Sequence, residues 1–143
     1  MDKIEIFTDG ACRGNPGDGG WGALIRINSE ESYIYGGERN TTNNKMELTA
    51  AIKALNQFDQ ASSITLTTDS EYVRKGITEW IENWKKRGWK KASKKPVKNK
   101  ELWQALDELN RKHNVSWKWV KGHSGHRENE IADELANKGI DEL

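Results

Sequence analysis

Two runs of alternating residues constrain this chain more than anything else in it. Ile4, Ile6 and Thr8 alternate with Glu5, Phe7 and Asp9, and Ile64, Leu66 and Thr68 alternate with Thr65, Thr67 and Asp69. Each run has the two-residue period of a strand, and each closes on an aspartate. Between them Leu48, Ala51, Ile52 and Leu55 fall at the i, i+3, i+4, i+7 spacing of an amphipathic helix, with Thr41 or Thr42 placed to cap it. A strand-helix-strand crossover makes its two strands parallel neighbours. Asp9 and Asp69 then lie side by side at the carboxyl ends, where open α/β sheets put their chemistry. Glu47, at the edge of the helical stripe, leans toward Asp9.

Six glycines crowd the stretch from Gly10 to Gly22. Gly17 to Gly22 spells G-x-G-x-x-G, but it leads into the strand-like WGALIRIN instead of opening a helix, so it is weak evidence for a dinucleotide fingerprint. The stretch reads as a long hairpin connection whose glycines would let a ligand approach the main chain beside Asp9. Trp21, Ala23, Ile25 and Ile27 mark a second strand, and Tyr33 to Gly36 a short third, completing an antiparallel meander. Beyond Asp69 a helix runs from Ser70 through Val73, Ile77, Trp80, Ile81 and Trp84 to a stop at Gly88. Leu102, Leu106 and Leu109 define the next helix, and Val115, Trp117 and Trp119 a fifth strand. A last helix turns Ile131 and Leu135 inward, with Asp133 in its early turns. The order βββαβααβα predicts an α/β fold: a five-stranded mixed sheet, three antiparallel strands then two parallel, with helices on both faces.

At 143 residues and 34% hydrophobic content, residues 1–143 are expected to form a single domain with its own core. Neither a leader nor a membrane span is legible, so a cytoplasmic protein without a membrane role is expected. Nothing reads as a sticky interface, which makes a monomer the expectation. Cys12 is the only cysteine, which excludes an internal disulfide and a thiolate metal cage. The net charge of +1 conceals an asymmetry: Asn83 to Lys100 holds nine Lys or Arg and no acid, leaving −8 on the rest. A basic patch on an acidic body points to a polyanionic partner gripped by one region, a protrusion at about 80–100.

Asp9, Glu47, Asp69 and Asp133 each fall at a strand end or in an early helical turn on one side of the sheet. Any one of them reads equally well as a surface charge or a helix N-terminal group. Their joint placement makes the case, because four carboxylates together repel one another unless cations sit among them. All-oxygen ligands select hard ions, Mg²⁺ or alternatively Mn²⁺. Two such ions about 4 Å apart suit in-line displacement at phosphorus.

The blocks FTDGACRGNPG, TTNNKMEL, LTTDSEYV, GWKK and WVKGHSGHRENEIADELA occur in an order and spacing that resemble type 1 ribonuclease H of bacteria, the ribonuclease HI family. The likeness runs from Lys3 through the last helix. It implies the ribonuclease H fold and endonucleolytic hydrolysis of the RNA strand of an RNA/DNA hybrid, leaving 5′-phosphate and 3′-hydroxyl ends. By the same resemblance Asp9, Glu47, Asp69 and Asp133 are the metal ligands, and His123 assists proton transfer or product departure. Cys12, Asn15, Asn43 and Asn44 would read the 2′-hydroxyls and minor-groove edges that distinguish RNA from DNA. Thr42 and Asn99 would grip a DNA phosphate, Tyr72 and Trp80 would line the DNA sugar, and Trp80 suits a core position equally well. Lys85, Lys86 and Arg87, with Lys90 and Lys91 and the interleaved Trp84 and Trp89, match the family's hybrid-holding protrusion. Charge reversal at Lys85, Lys86 and Arg87 is expected to flatten the salt dependence of binding.

Three positions depart from the pattern. Glu71 stands where relatives often have Gln. Asn40 stands where an Arg is expected two residues before Thr42, with Arg39 adjacent as a substitute. Lys45 replaces an Arg, exchanging a fork for a point charge. A strand-transfer enzyme of the integrase type would share the acids but lack the protrusion and the Cys12/Asn15 reader. A non-catalytic hybrid-binding module is the other alternative, disfavoured because clustered acids beside phosphate gain a binder nothing.

Overall fold

The computed structural model describes residues 2–122 and 125–143. Strand β1 spans Ile4–Arg13, β2 Gly17–Ile27 and β3 Glu30–Thr41; helix α1 (Asn43–Leu55) leads to β4 (Ser63–Thr68). Then follow α2 (Glu71–Lys75), a π-helical turn (Gly76–Trp80) and α3 (Ile81–Lys86), which run on as one helical segment, and α4 (Lys100–Lys112), β5 (Asn114–Trp119) and α5 (Arg127–Asp141). The sheet order is β3-β2-β1-β4-β5. The first three strands are antiparallel, and β4 is parallel to both β1 and β5. The predicted mixed sheet and the parallel β1/β4 pair are therefore present.

Strand lengths differ from the expectation in a way that matters. β1 does not stop at Asp9: its ladder with β2 continues to Arg13↔Asp18, whereas its ladder with β4 ends at Thr8↔Thr68. Asp9 thus sits at a fork, where the parallel half of the sheet finishes and the antiparallel half goes on. β3 is a twelve-residue strand where only Tyr33 to Gly36 was legible.

The glycines explain both that extension and the helix packing. Most of the glycine stretch is strand, and only Gly14, at φ +87, needs the left-handed region to make the turn. A Cβ on Gly19 would strike Thr41 and Met46, and one on Gly10 the backbone of Met46 and Glu47. A Cβ on Gly20 or Gly22 would meet Ala136, Ala132 or Leu135 of α5. Because Gly19 and Gly20 are successive strand residues, α1 and α5 lie on opposite faces of the sheet. The strand glycines admit helices.

This corrects the reading of α5. Ile131 and Leu135 are only half-buried; the inward face is Asn129, Ala132, Ala136, Gly139 and Ile140. Small residues mesh with the glycine patch, and the bulky ones flank it. α1 is buried almost all round, including Met46, Glu47, Thr49, Ala50 and Ala54, because the sheet covers one side and α4 the other. On α4 the fully buried residues are Trp103 and Leu106, with Leu102 and Leu109 half-buried at the edges. The Trp103 ring lies where Gly76 would carry a side chain, which sets the π-helical turn against α4. No helix among the described residues is long and apolar enough to cross a membrane.

Candidate active site: a groove of carboxylates

Asp9 comes from the fork of β1, Glu47 from the second turn of α1, and Asp69 from the residue after β4. Each offers an oxygen, and these atoms lie within 4.8 Å of one another. Gly10 holds two of them: its N–H donates to Asp9 Oδ1 at 2.9 Å and also to Glu47 Oε1. The missing Cβ on Gly10 is what brings α1 down beside Asp9. Asp69 is followed by Ser70, whose hydroxyl caps α2 by accepting from Val73 N at 3.1 Å. The Trp119 indole donates to the Asp69 carbonyl at 3.1 Å. Gly122 also comes close, since a Cβ there would stand 2.9 Å from Asp69 Oδ2.

Asp9 and Glu47 are 5% and 4% exposed. Both carboxyls are pushed well above the usual range, first by burial and then by like charge: Glu47 acts on Asp9, and Asp69 on Glu47. The Gly10 N–H works the other way on Glu47 by favouring its ionised form. Asp133, half-buried on α5, completes the acidic wall and reaches Asp9. The groove around them is about 510 Å³, and among the described residues no lysine or arginine lines it. Two buried carboxylates and the half-buried Asp69 sharing one small space suit a hard divalent ion coordinated by oxygen.

Cys12, Asn43, Asn44 and Tyr72 line the same groove, as does Glu71, whose carboxylate also lies 3.6 Å from Arg74. Asn15 and Thr42 stand beside it with local duties at the start of α1. Asn15 Oδ1 accepts from Asn43 N at 3.2 Å, and Thr42 Oγ1 accepts from Lys45 N at 3.2 Å, so Thr42 is the cap. Asn99 is not in the groove. Its Nδ2 donates to Tyr72 Oη at 3.2 Å, and the Trp103 indole donates to the same oxygen at 2.9 Å. Asn99 borders a second depression that also contains Lys45 and Lys100. Arg39 pairs with Asp18 at 3.5 Å, so the substitute suggested for the missing arginine is engaged elsewhere. Trp80 packs edge-on against Tyr72 and at a tilt against Trp84, 5.9 Å from each, and is half-buried.

The basic segment is folded. Lys90 bridges to Pro96, Lys91 N donates to Lys95 O at 2.8 Å, and buried Val97 fixes its returning end. Lys86 and Arg87 are exposed at the end of α3. Lys85 differs from them: its ammonium lies 2.8 Å from Asp107, a buried acid of α4. His123 lies outside the described residues. Sequence reasoning missed Trp119, Trp103 and Asp107, because each looked like an ordinary member of a strand or helix pattern.

A family model described as RNase H matches residues 1–141 of the chain. A ribonuclease H of Halorhodospira halophila is 65% identical over 140 residues, covering 98% of this chain and 94% of that protein. Among solved structures, LC9-RNase H1, a type 1 RNase H with the type 2 active-site motif, superposes with a TM-score of 0.88 at 32% identity, over 97% of this chain and 72% of that one. LC11-RNase H1, solved in complex with an RNA/DNA hybrid, gives a TM-score of 0.69 at 27% identity, over 98% of each chain.

Proposed function

This chain belongs to the ribonuclease H family and is a metal-dependent endoribonuclease with the ribonuclease H fold, and from that premise we propose that it hydrolyses the RNA strand of RNA/DNA hybrids with two divalent ions, Mg²⁺ or alternatively Mn²⁺. The products would carry 5′-phosphate and 3′-hydroxyl ends. We read residues 1–143 as one catalytic domain that acts as a cytoplasmic monomer. The observation that carries the proposal is the cluster of Asp9, Glu47 and Asp69 within 4.8 Å, in a groove that also contains Cys12, Asn43 and Asn44.

Asp9, Glu47 and Asp69, with Asp133 at the wall, would hold the ions. When bound, such ions supply Lewis-acid stabilisation of the transferring phosphoryl group and favour ionisation of a water nucleophile. The chain's own residues orient the reaction. Gly10 N–H fixes the Asp9 and Glu47 carboxylates, and the Trp119 indole fixes the backbone of Asp69. Asn43 and Asn44 present amides that match a 2′-hydroxyl as donor or acceptor, and Cys12 is a smaller partner for the same group. Tyr72, with its hydroxyl held by Asn99 and Trp103, is a fixed platform for the sugar of the DNA strand, flanked by Trp80. Asn15 and Thr42, beside the groove, and Asn99, next to Lys45, would contact the backbones of the two strands. Lys86 and Arg87 would neutralise phosphates farther along the hybrid, and His123 would assist proton transfer or product departure.

The test is cleavage of strand-labelled RNA/DNA duplex with Mg²⁺ and with chelator, alongside RNA/RNA and DNA/DNA duplexes. Metal-dependent cutting of the hybrid's RNA strand alone is expected. Asp69→Asn should lose nearly all turnover while still docking hybrid; a non-catalytic binder would show tight hybrid binding without any cutting in the unmodified chain.

A further inference from the structure

Resting on the reading that the basic protrusion holds the hybrid, we propose that Asp107 is a positioning residue for that protrusion, acting through Lys85, which therefore does not itself touch phosphate. Asp107 is 5% exposed, and unlike the equally buried Asp9 and Glu47 it is buried against cations. Both its oxygens are engaged: Lys85 Nζ lies 2.8 Å from Oδ1, and Arg111 Nε 3.3 Å from Oδ2. The pair joins the last turn of α3 to the middle of α4, immediately before Lys86 and Arg87. Trp84 packs on Trp103 at 5.4 Å, and buried Val97 anchors the returning chain. Those apolar contacts seat the root of the protrusion. The ion pair sets its rotation, because successive helical residues point roughly 100° apart and fixing Lys85 fixes where Lys86 and Arg87 point. Asp107 is no part of the carboxylate groove's lining, so the metal cluster does not account for it.

The proposal predicts an effect of opposite sign to a simple field effect. Asp107→Asn removes a negative charge and makes the chain more basic, which by electrostatics alone tightens binding to a polyanion. A positioning role weakens it. The experiment uses the full chain: anisotropy of a labelled RNA/DNA hybrid in chelator across a salt series, with kcat and KM measured in Mg²⁺ and folding checked by thermal melts. Asp107→Asn and Lys85→Met are each expected to weaken binding about tenfold, the scale of one charge-assisted contact. Their kcat should stay within about twofold, so the effect falls on KM. The paired variant Asp107→Leu with Lys85→Met replaces a buried ion pair by apolar groups, a change proteins often accept without loss of stability. It is expected to restore wild-type affinity and the full salt slope.

Tighter binding by Asp107→Asn would overturn the proposal. So would a paired variant that stays weak with its log–log salt slope reduced by about 0.9, since Lys85 would then be a direct phosphate contact. If Asp107→Asn does not fold, the paired variant decides alone. Lys86→Glu with Arg87→Glu separates the two levels: unchanged affinity and slope would remove the protrusion reading itself, and the proposal with it.

Discussion

Replacing Asp9 with Asn should abolish turnover and, at the same time, make the metal-free protein more stable. The carboxylate oxygens of Asp9, Glu47 and Asp69 lie within 4.8 Å of one another. Two unit charges at that separation repel by about 3 kcal/mol at an effective dielectric near 20. Burial and then this repulsion shift both carboxyls upward, so the folded protein escapes part of the cost by holding protons. Asn introduces no new clash, and its side-chain oxygen still accepts the Gly10 N–H that Asp9 accepts at 2.9 Å. A gain of about 2–3 kcal/mol is expected at pH 8, or roughly 6–9 °C in Tm for a chain of this size.

The pH dependence fixes the cause. Unfolded carboxyls titrate near pH 4, whereas the folded Asp9 and Glu47 titrate higher. Below about pH 4 both states are protonated and the pair exerts no penalty. As pH rises toward the folded values, the unfolded chain releases its protons first and the folded state loses stability. The advantage of Asp9→Asn should therefore be small at pH 5 and large at pH 8. Calorimetric melts in chelator at the two pH values make the comparison. Adding Mg²⁺ at about a hundred times its dissociation constant should stabilise the unmodified protein by about 2.7 kcal/mol, and Asp9→Asn by clearly less. A variant that melts at or below the parent at pH 8, or gains equally at both pH values, would refute the reasoning.

Two further outcomes are expected. Gly20→Ala places a methyl group on the Ala136 carbonyl of α5 and should cost about 3 kcal/mol or more in urea unfolding; Gly88→Ala, with nothing within 4 Å but φ at +66, should cost only about 1 kcal/mol. Equal losses would mean that helix packing is not what the strand glycines serve. Lys86→Glu with Arg87→Glu should flatten the salt dependence of hybrid binding by up to about 0.9 in log–log slope for each lost phosphate contact, read by anisotropy across a salt series.

The parts of the site legible in the sequence are those a period can carry. Asp9 and Asp69 each close an alternating run, and the helix between those runs makes the strands parallel, so their adjacency follows from pattern and handedness alone. Glu47 follows from its place on the helical stripe. The rest fails for identifiable reasons. β2 was read too short because Gly17, Gly19 and Gly20 carry no alternation signal, β3 because Glu30 to Ser32 and Glu38 to Thr41 are all polar, and the α5 face was misassigned because Ala132, Ala136 and Gly139 are small. Trp103 was passed over for the leucines around it. Lys85 was grouped with Lys86 and Arg87 because a lysine in a basic run has no mark of its own, and only the fold reveals the buried acid opposite it.

The carboxylate cluster is a liability that the architecture is built to tolerate. Asp9 is available because β1 outruns β4 by five residues, leaving its carboxylate at the mouth of the fork, just past the end of the parallel ladder. Glu47 is available because Gly10 lets the first turns of α1 settle onto β1, and the Gly10 N–H then serves both acids. α1 is held there from its own ends and flanks: Thr42 caps it, Asn15 ties its first residue to the hairpin turn, and α4 covers its outer face. Like charges brought this close cost stability, and such arrangements persist only where the surrounding structure over-determines them. Glycine packing and helix capping supply that constraint. The substitutions that abolish turnover at Asp9 and those that unfold the protein at Gly20 therefore probe two sides of one arrangement, a rigid glycine-seated frame pressing together charges that would otherwise separate.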